Sequence, residues 1–175
     1  MRQHLVLFLR APMLGGGKRR LARDIGDVAA VHFERRMLAL LLRRLARDRR
    51  WRLQVALTPR RRLRAAGVAS VIQGGGDLGQ RMQLALAAAP PGPVVLVGAD
   101  IPDLRAAHIA AAFRLLGRHD LVFGPAVDGG FWLIGARRRP RLPPLFAAVR
   151  WSGPHALADT LASLPRDVSV AFLEG

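Results

Sequence analysis

The sequence predicts an α/β protein, a three-layer α/β/α sandwich on a mostly parallel sheet. Three observations carry that prediction. Short apolar, strand-like runs alternate with longer stretches of helical periodicity along all 175 residues. Val94–Val97 is an unbroken apolar run, the pattern of a strand buried on both faces. Turns rich in Gly and Asp follow several of the strands, where open α/β sheets hold their ligands.

In chain order, His4–Leu9 reads as the first strand, followed by a glycine-rich loop over Ala11–Lys18. Val28–Asp48 reads as a long helix, because Val31, Leu38, Leu41, Leu42 and Leu45 share one apolar face. Arg52–Leu57 is a second strand, broken by Thr58-Pro59, and Ala69–Ile72 a short third one. A helix over Leu78–Ala88 follows Gly74-Gly75-Gly76 and stops at Pro90-Pro91-Gly92-Pro93. After the central strand comes a helix over Leu104–Leu116, with Asp103 as its candidate cap and Gly117 at its end. Asp120–Phe123 and Gly130–Ile134 read as strands joined through Asp128-Gly129-Gly130, a hairpin-type turn. His155–Leu164 is the last helix and Val168–Phe172 the last strand. Gly135–Pro144, rich in Arg and Pro, is expected to be a mobile loop. Nothing in the sequence reads as an internal repeat or linker, so residues 1–175 are expected to form a single domain.

Composition narrows the chemistry. The chain has no Cys, which excludes disulfides, zinc thiolate sites and thiol nucleophiles. The apolar run Leu5–Leu9 is too short for a signal-peptide core, and no stretch approaches the ~20 apolar residues of a membrane span, so a soluble, cytoplasmic protein is expected. Lys and Arg number 28 against 12 Asp and Glu, a net charge of +16. Such a balance suits a nucleic-acid or polyanion binder. However, nearly all of the basic residues are Arg, as in a GC-rich genome. The clusters Arg43–Arg50, Arg60–Arg62 and Arg137–Arg139 also lack interleaved stacking aromatics. Nucleic-acid binding therefore stands as the non-enzymatic alternative. The five histidines show no metal spacing, and there is no G-x-S-x-G nucleophile elbow.

Five stretches carry candidate chemistry. Arg10–Leu21 (R-A-P-M-L-G-G-G-K-R-R-L) lies between a strand and a helix. Its glycines, Gly15 among them, let backbone N–H groups approach a phosphate, and Lys18 and Arg20 supply charge and a fork of donors. Lys18 is the chain's only lysine. Gln73–Met82 (Q-G-G-G-D-L-G-Q-R-M) sets Asp77 at a helix start as an N-cap, with Gln73 and Arg81 as candidate ligand-facing groups. Gly98–Leu104 (G-A-D-I-P-D-L) sets Asp100 just past a buried strand, where one carboxylate plus substrate phosphates could hold Mg²⁺ or Mn²⁺. Gly124–Gly135 (G-P-A-V-D-G-G-F-W-L-I-G) offers Asp128 as a carboxylate on the acceptor side, with Gly129 and Gly130 as a close-approach surface. Arg150-Trp151-Ser152 precedes the last helix and says little alone.

Taken in order, these stretches resemble a small bacterial family of GT-A-type transferases, the radical-SAM/selenodomain-associated transferases, some of them assigned to arsenosugar biosynthesis. The resemblance runs from Leu5 to about Leu164. It implies a nucleotide-diphospho-sugar transferase fold and a metal-dependent glycosyltransferase moving a sugar from a nucleotide-diphospho-sugar to a small-molecule acceptor. It implies that Gly15, Lys18 and Arg20 hold the diphosphate, that Asp77 and Arg81 lie near the nucleoside, and that Asp100 is the metal-binding aspartate. By the same resemblance Asp128 would face the acceptor sugar or its leaving oxygen; its place at a strand end near two glycine loops makes it the candidate base for the acceptor hydroxyl. A nucleotidyltransferase on the same fold is the nearest alternative. The chain departs from the family at Arg19 and Gly153, where Thr is common. It also ends at Leu173-Glu174-Gly175, where members continue into an Asp-rich segment, so a second metal carboxylate is expected to be missing and a catalytically degenerate member is a further alternative.

Overall fold

The computed structural model describes residues 1–13, 19–58, 68–101, 103–138 and 142–174. Within them lie seven strands and five helices. The strands are β1 (Gln3–Arg10), β2 (Trp51–Thr58), β3 (Ala69–Ile72), β4 (Val94–Gly98), β5 (Leu121–Pro125), β6 (Phe131–Ala136) and β7 (Val170–Phe172). The helices are α1 (Arg19–Ile25), α2 (Asp27–Ala46), α3 (Leu78–Ala88), α4 (Ala106–Leu115) and α5 (Ala156–Ala162).

The strands form one sheet in the order β3-β2-β1-β4-β6-β5-β7. β1 runs parallel to both β2 and β4, β2 to β3, and β5 to β7. β6 is antiparallel to both of its neighbours, β4 and β5, so the other six strands point the same way. The α/β sandwich with a mostly parallel sheet is therefore as the sequence predicts.

Alternate residues of the central strands supply the two cores. Leu5, Leu7, Leu9, Val95 and Val97 face α2 and α4, packing on Leu38, Leu42, Leu45, Ile109 and Phe113. Val6, Val94, Leu96 and Ile134 face the other way, onto Met82, Ala85 and Leu86 of α3. Leu157 and Leu161 of α5 pack against the same layer. Burying each such aliphatic side chain stabilises the fold by about 1.5–3 kcal/mol.

Three details differ from expectation. α4 begins at Ala106, not Leu104; Arg105 takes the cap position, and Asp103 sits in the preceding turn, where Leu104 N–H donates to the Ile101 carbonyl at 3.3 Å. α1, a two-turn helix before α2, was not anticipated, because Arg19–Ile25 is too short and too basic to show apolar periodicity. Gly135–Pro144 is not simply a loop. Gly135 and Ala136 belong to β6, and Arg137 N–H donates to the Asp120 carbonyl at 2.8 Å. Farther on, Gln83 of α3 holds the returning chain: its amide donates to the Pro143 carbonyl at 3.0 Å and accepts from Leu145 N–H at 3.1 Å.

Arg138, just past β6, is tied to α3. Its backbone takes φ +58°, and its guanidinium reaches the end of α3, donating to the carbonyls of Ala89 at 2.7 Å, Pro90 at 2.8 Å and Ala87 at 3.3 Å. The Ala87 and Ala89 carbonyls are among those that a helix end leaves without intrahelical partners, at the negative pole of the helix dipole. Arg138→Ala is expected to lower the unfolding free energy by about 1–3 kcal/mol, read by urea denaturation.

Candidate active site at the strand ends

Because six strands run the same way, β1, β2, β3, β4, β5 and β7 all end at one edge of the sheet, and β6 starts there. Four of the five motif stretches, those that follow β1, β3, β4 and β5, leave the sheet at this edge, where ligands bind in such folds.

The Gln73 side chain is buried, at 1% exposure. Its Nε2 donates to the carbonyls of Leu9 on β1, at 2.8 Å, and Ala56 on β2, at 3.0 Å. Its Oε1 accepts from Arg81 Nη1 at 3.3 Å. This amide therefore clasps the ends of three strands and anchors Arg81. The expectation that Gln73 presents itself to a ligand is corrected: both ends of the amide are engaged inside the protein.

Asp77 is the N-cap of α3 in a reciprocal box. Its carboxylate accepts from Gln80 N–H at 2.8 Å, and Gln80 Oε1 accepts from Asp77 N–H at 3.0 Å. Gly76, at φ +93°, lies against the Gln80 side chain so closely that no Cβ would fit. Arg81 also donates to the Asp77 carbonyl at 3.3 Å.

Asp100 lies just beyond β4 and is exposed. Its carboxylate folds back over Gly98, where a Cβ would sit 2.9 Å from Asp100 Oδ1. No group of three or more His, Cys, Asp or Glu side chains able to hold a metal occurs among the described residues. The donor set here is one hard oxygen ligand open to solvent. That fits a Mg²⁺ or Mn²⁺ ion whose remaining ligands are substrate phosphates and water, and does not fit a closed all-protein cage.

Asp128 stands in the β5–β6 turn, where its Oδ1 accepts from Gly130 N–H at 3.0 Å. Gly129 has φ +82°, and its α-carbon packs directly on the Pro154 backbone. The Gly129 carbonyl accepts from Leu157 N–H at 3.0 Å. On its Cβ side Gly129 thus approaches the protein's own 150–157 segment. Gly130 lines the open side.

Between this turn, the start of α3 and residues 151–156 lies a cleft of about 390 Å³. Its walls are Leu78 and Met82 of α3, Gly130 and Phe131 of β6, Asp128, and the run Trp151–Pro154 with Ala156. Trp151 is braced edge-on by Phe146, ring centroids 5.7 Å apart, and by Phe131 at 6.4 Å. Its indole N–H is buried without a partner among the described residues. Ser152, next to it, has φ +65°, a strained conformation for a non-glycine residue. Arg150 pins the base of this wall to α5, its Nε and Nη2 donating to the Asp159 carboxylate at 2.9 and 2.8 Å.

Of the expected site residues, Asp128 and Gly130 line the cleft. Asp77 caps the helix whose first residue, Leu78, is part of its wall. Gln73, Arg81 and Gly129 support the surroundings. Gly15, Lys18 and the side chain of Arg20 lie outside the described residues. The sequence reading missed Leu78, Met82, Phe131 and Trp151 as cleft walls, since apolar residues at strand and helix starts look like ordinary core. The short Arg150-Trp151-Ser152 stretch was the one available signal.

Comparison with known proteins places this geometry. A family profile described as "uncharacterized protein conserved in bacteria (DUF2064)" matches residues 41–153, from α2 through the cleft wall. The chain belongs to the DUF2064 family. Among solved structures, a protein of Desulfovibrio desulfuricans G20 provisionally assigned as a nucleotide-diphospho-sugar transferase superposes with a TM-score of 0.88. It is 29% identical, over 99% of this chain and 80% of that one. A 4-diphosphocytidyl-2C-methyl-D-erythritol synthase from Anaerococcus prevotii shares the fold at a TM-score of 0.58 and 10% identity, over 99% of this chain and 89% of that one. In sequence, the chain is 36% identical over 149 residues to a 3-phospho-D-glycerate guanylyltransferase of Phenylobacterium zucineum, covering 76% of this chain. It spans 66% of that relative's length. The nucleotide-diphospho-sugar transferase fold implied by the motifs is thus the observed one, and the Desulfovibrio and Phenylobacterium proteins are both named as transferases. No helix among the described residues is long and apolar enough to cross a membrane.

Two measurements test how the site is held. Gln73→Ala, which leaves two buried carbonyls and Arg81 without their partner, is expected to cost about 2–4 kcal/mol of unfolding free energy in a urea titration. Asp159 is held well below the usual carboxylate range, chiefly by the Arg150 guanidinium. A depressed native pKa stabilises the fold above the unfolded-state pKa of about 3.9, and that contribution is lost as the pH falls below it. Asp159→Asn is therefore expected to melt lower than the wild type at neutral pH. The two melting temperatures should converge on acidification below about pH 4.

Proposed function

We propose that this protein is a nucleotide-dependent transferase that moves a glycosyl group from a nucleotide-diphospho-sugar to a hydroxyl of a small-molecule acceptor. The observation that carries the reading is the arrangement at the sheet edge. An exposed carboxylate, Asp100, ends the central strand, and a second, Asp128, stands over a small-molecule-sized cleft. The likeness to the Desulfovibrio transferase over 99% of the chain supports it.

In this reading the glycine loop at Gly15, with Lys18 and Arg20, binds the diphosphate, and Asp77 and Arg81 border the nucleoside. Asp100 would hold a divalent cation, which when bound supplies positive charge against the leaving diphosphate. Lys18 and Arg20 supply the protein's own share of that charge. Asp128 accepts the proton of the acceptor hydroxyl as it attacks. The Gly130 N–H at 3.0 Å from its Oδ1 fixes its position. The cleft walls hold the acceptor against the donor and keep competing water out.

The 36% identity to a guanylyltransferase favours a second reading, nucleotidyl transfer from an NTP. Product analysis separates the two: sugar-dependent release of nucleoside diphosphate is expected, and pyrophosphate release from GTP would support the alternative. In calorimetric titrations with UDP- and GDP-sugars plus Mn²⁺, one donor is expected to bind. Asp100→Ala should weaken that binding at least about tenfold. Asp128→Asn, which keeps an acceptor for Gly130 N–H, should leave donor affinity unchanged and lower turnover by about 10²-fold or more. A well-folded protein that binds no nucleotide-sugar would refute the reading.

A further inference from the structure

In a chain with 28 Lys and Arg, the cleft beside Asp128 is lined by no cation among the described residues. Its one ionisable lining side chain is a carboxylate. The nearest described arginines along the chain face other partners. Arg150, next to Trp151, is paired with Asp159. Arg81, on the helix that supplies Leu78 and Met82, donates to Gln73 and to the Asp77 carbonyl. A phosphate or carboxylate entering the cleft would meet the Asp128 carboxylate with no counter-charge among the described lining residues, and like charges repel. The remaining walls, Leu78, Met82, Phe131 and Trp151, favour an apolar or aromatic body.

We infer that this cleft admits an uncharged, hydroxyl-bearing acceptor with an apolar or aromatic face and rejects phosphorylated or carboxylated ones. The inference rests on the reading of the cleft as the acceptor site. It sets this protein apart from its guanylyltransferase relative, whose named substrate, 3-phospho-D-glycerate, carries both a phosphate and a carboxylate. It also gives a physical reason for glycosyl transfer to a neutral hydroxyl over nucleotidyl transfer to a phosphate.

Gly153 allows a clean test. It lines the cleft, a Cβ on it would meet no atom within 4 Å, and its backbone is outside the left-handed region. Gly153→Phe should therefore fill the cleft without disturbing the fold, as an unchanged melting temperature would verify. The probes are phenyl β-D-glucopyranoside and 3-phospho-D-glycerate, followed by saturation-transfer NMR at physiological ionic strength. Under those conditions the chain's overall positive charge does not by itself recruit the acid.

The glycoside is expected to bind at least about tenfold more tightly than the acid, and Gly153→Phe to abolish its signal. Asp128→Asn should retain glycoside binding and narrow the gap by strengthening the acid. Equal or tighter binding of the acid that Gly153→Phe removes would overturn the inference. So would a glycoside signal that survives Gly153→Phe, or no glycoside signal at all. Nucleotide-sugar titration of the same preparation keeps the two claims apart. Donor binding without glycoside binding would sink the inference alone. Glycoside binding without donor binding would sink the transferase reading and leave a neutral-ligand site.

Discussion

Everything in this fold follows from the need to cover β4 on both faces. Its residues Val94–Val97 are 0–4% exposed, with Val95 and Val97 in one core and Val94 and Leu96 in the other. A strand with no polar face requires a helical layer above and below, and strands on either side to satisfy its backbone. β1 supplies one neighbour and β6 the other. The same strand then emerges at Gly98, so its first solvent-facing acidic side chain, Asp100, sits at the edge where the parallel strands end. Core and site are two ends of one segment.

The site is assembled by two different devices. On the β1–β3 side the Gln73 amide joins three strand ends to the start of α3 by hydrogen bonds. On the β5–β6 side the hold is steric and aromatic: Gly129 lies on the Pro154 backbone, and Phe131, Phe146 and Trp151 brace one another. The first device is polar and anchors Arg81, on the side where the nucleoside is proposed to lie. The second leaves an apolar wall interrupted by one carboxylate. The proposed donor and acceptor sides thus differ in chemistry as well as position.

Much of the sheet was legible in the sequence because the apolar runs are short and cleanly punctuated. Ala69–Ile72 and Leu78–Ala88 end where Gly and Pro say they should. Asp77 was legible as a cap for the same local reason. What escaped is what depends on partners distant in sequence. Nothing near Gln73 tells that its amide meets Leu9, 64 residues away. Nothing in an Arg- and Pro-rich stretch tells that Arg138 closes the end of α3, 49 residues earlier in the chain. Asp103 was misread because the turn after β4 uses Arg105 to start α4. The cleft was invisible because Leu78, Met82 and Phe131 have the identities of core residues, and only the tertiary arrangement leaves one side of each open.

β6 is the one strand that runs against the sheet, and its two ends serve different parts of the molecule. At its start Phe131 forms part of the cleft wall; just past its end Arg138 holds the tail of α3. α3 in turn contributes Leu78 and Met82 to the wall of the same cleft. Strand and helix therefore act as two struts pinned together at the far end of the sheet, with the cleft as the gap between their free ends. Inserting or deleting one residue in β6 would invert its facing and shift Phe131 relative to Arg138 at once. The width of the cleft thus depends on a strand whose other anchor lies at the far edge of the sheet, and changes there should be read as changes to the cleft.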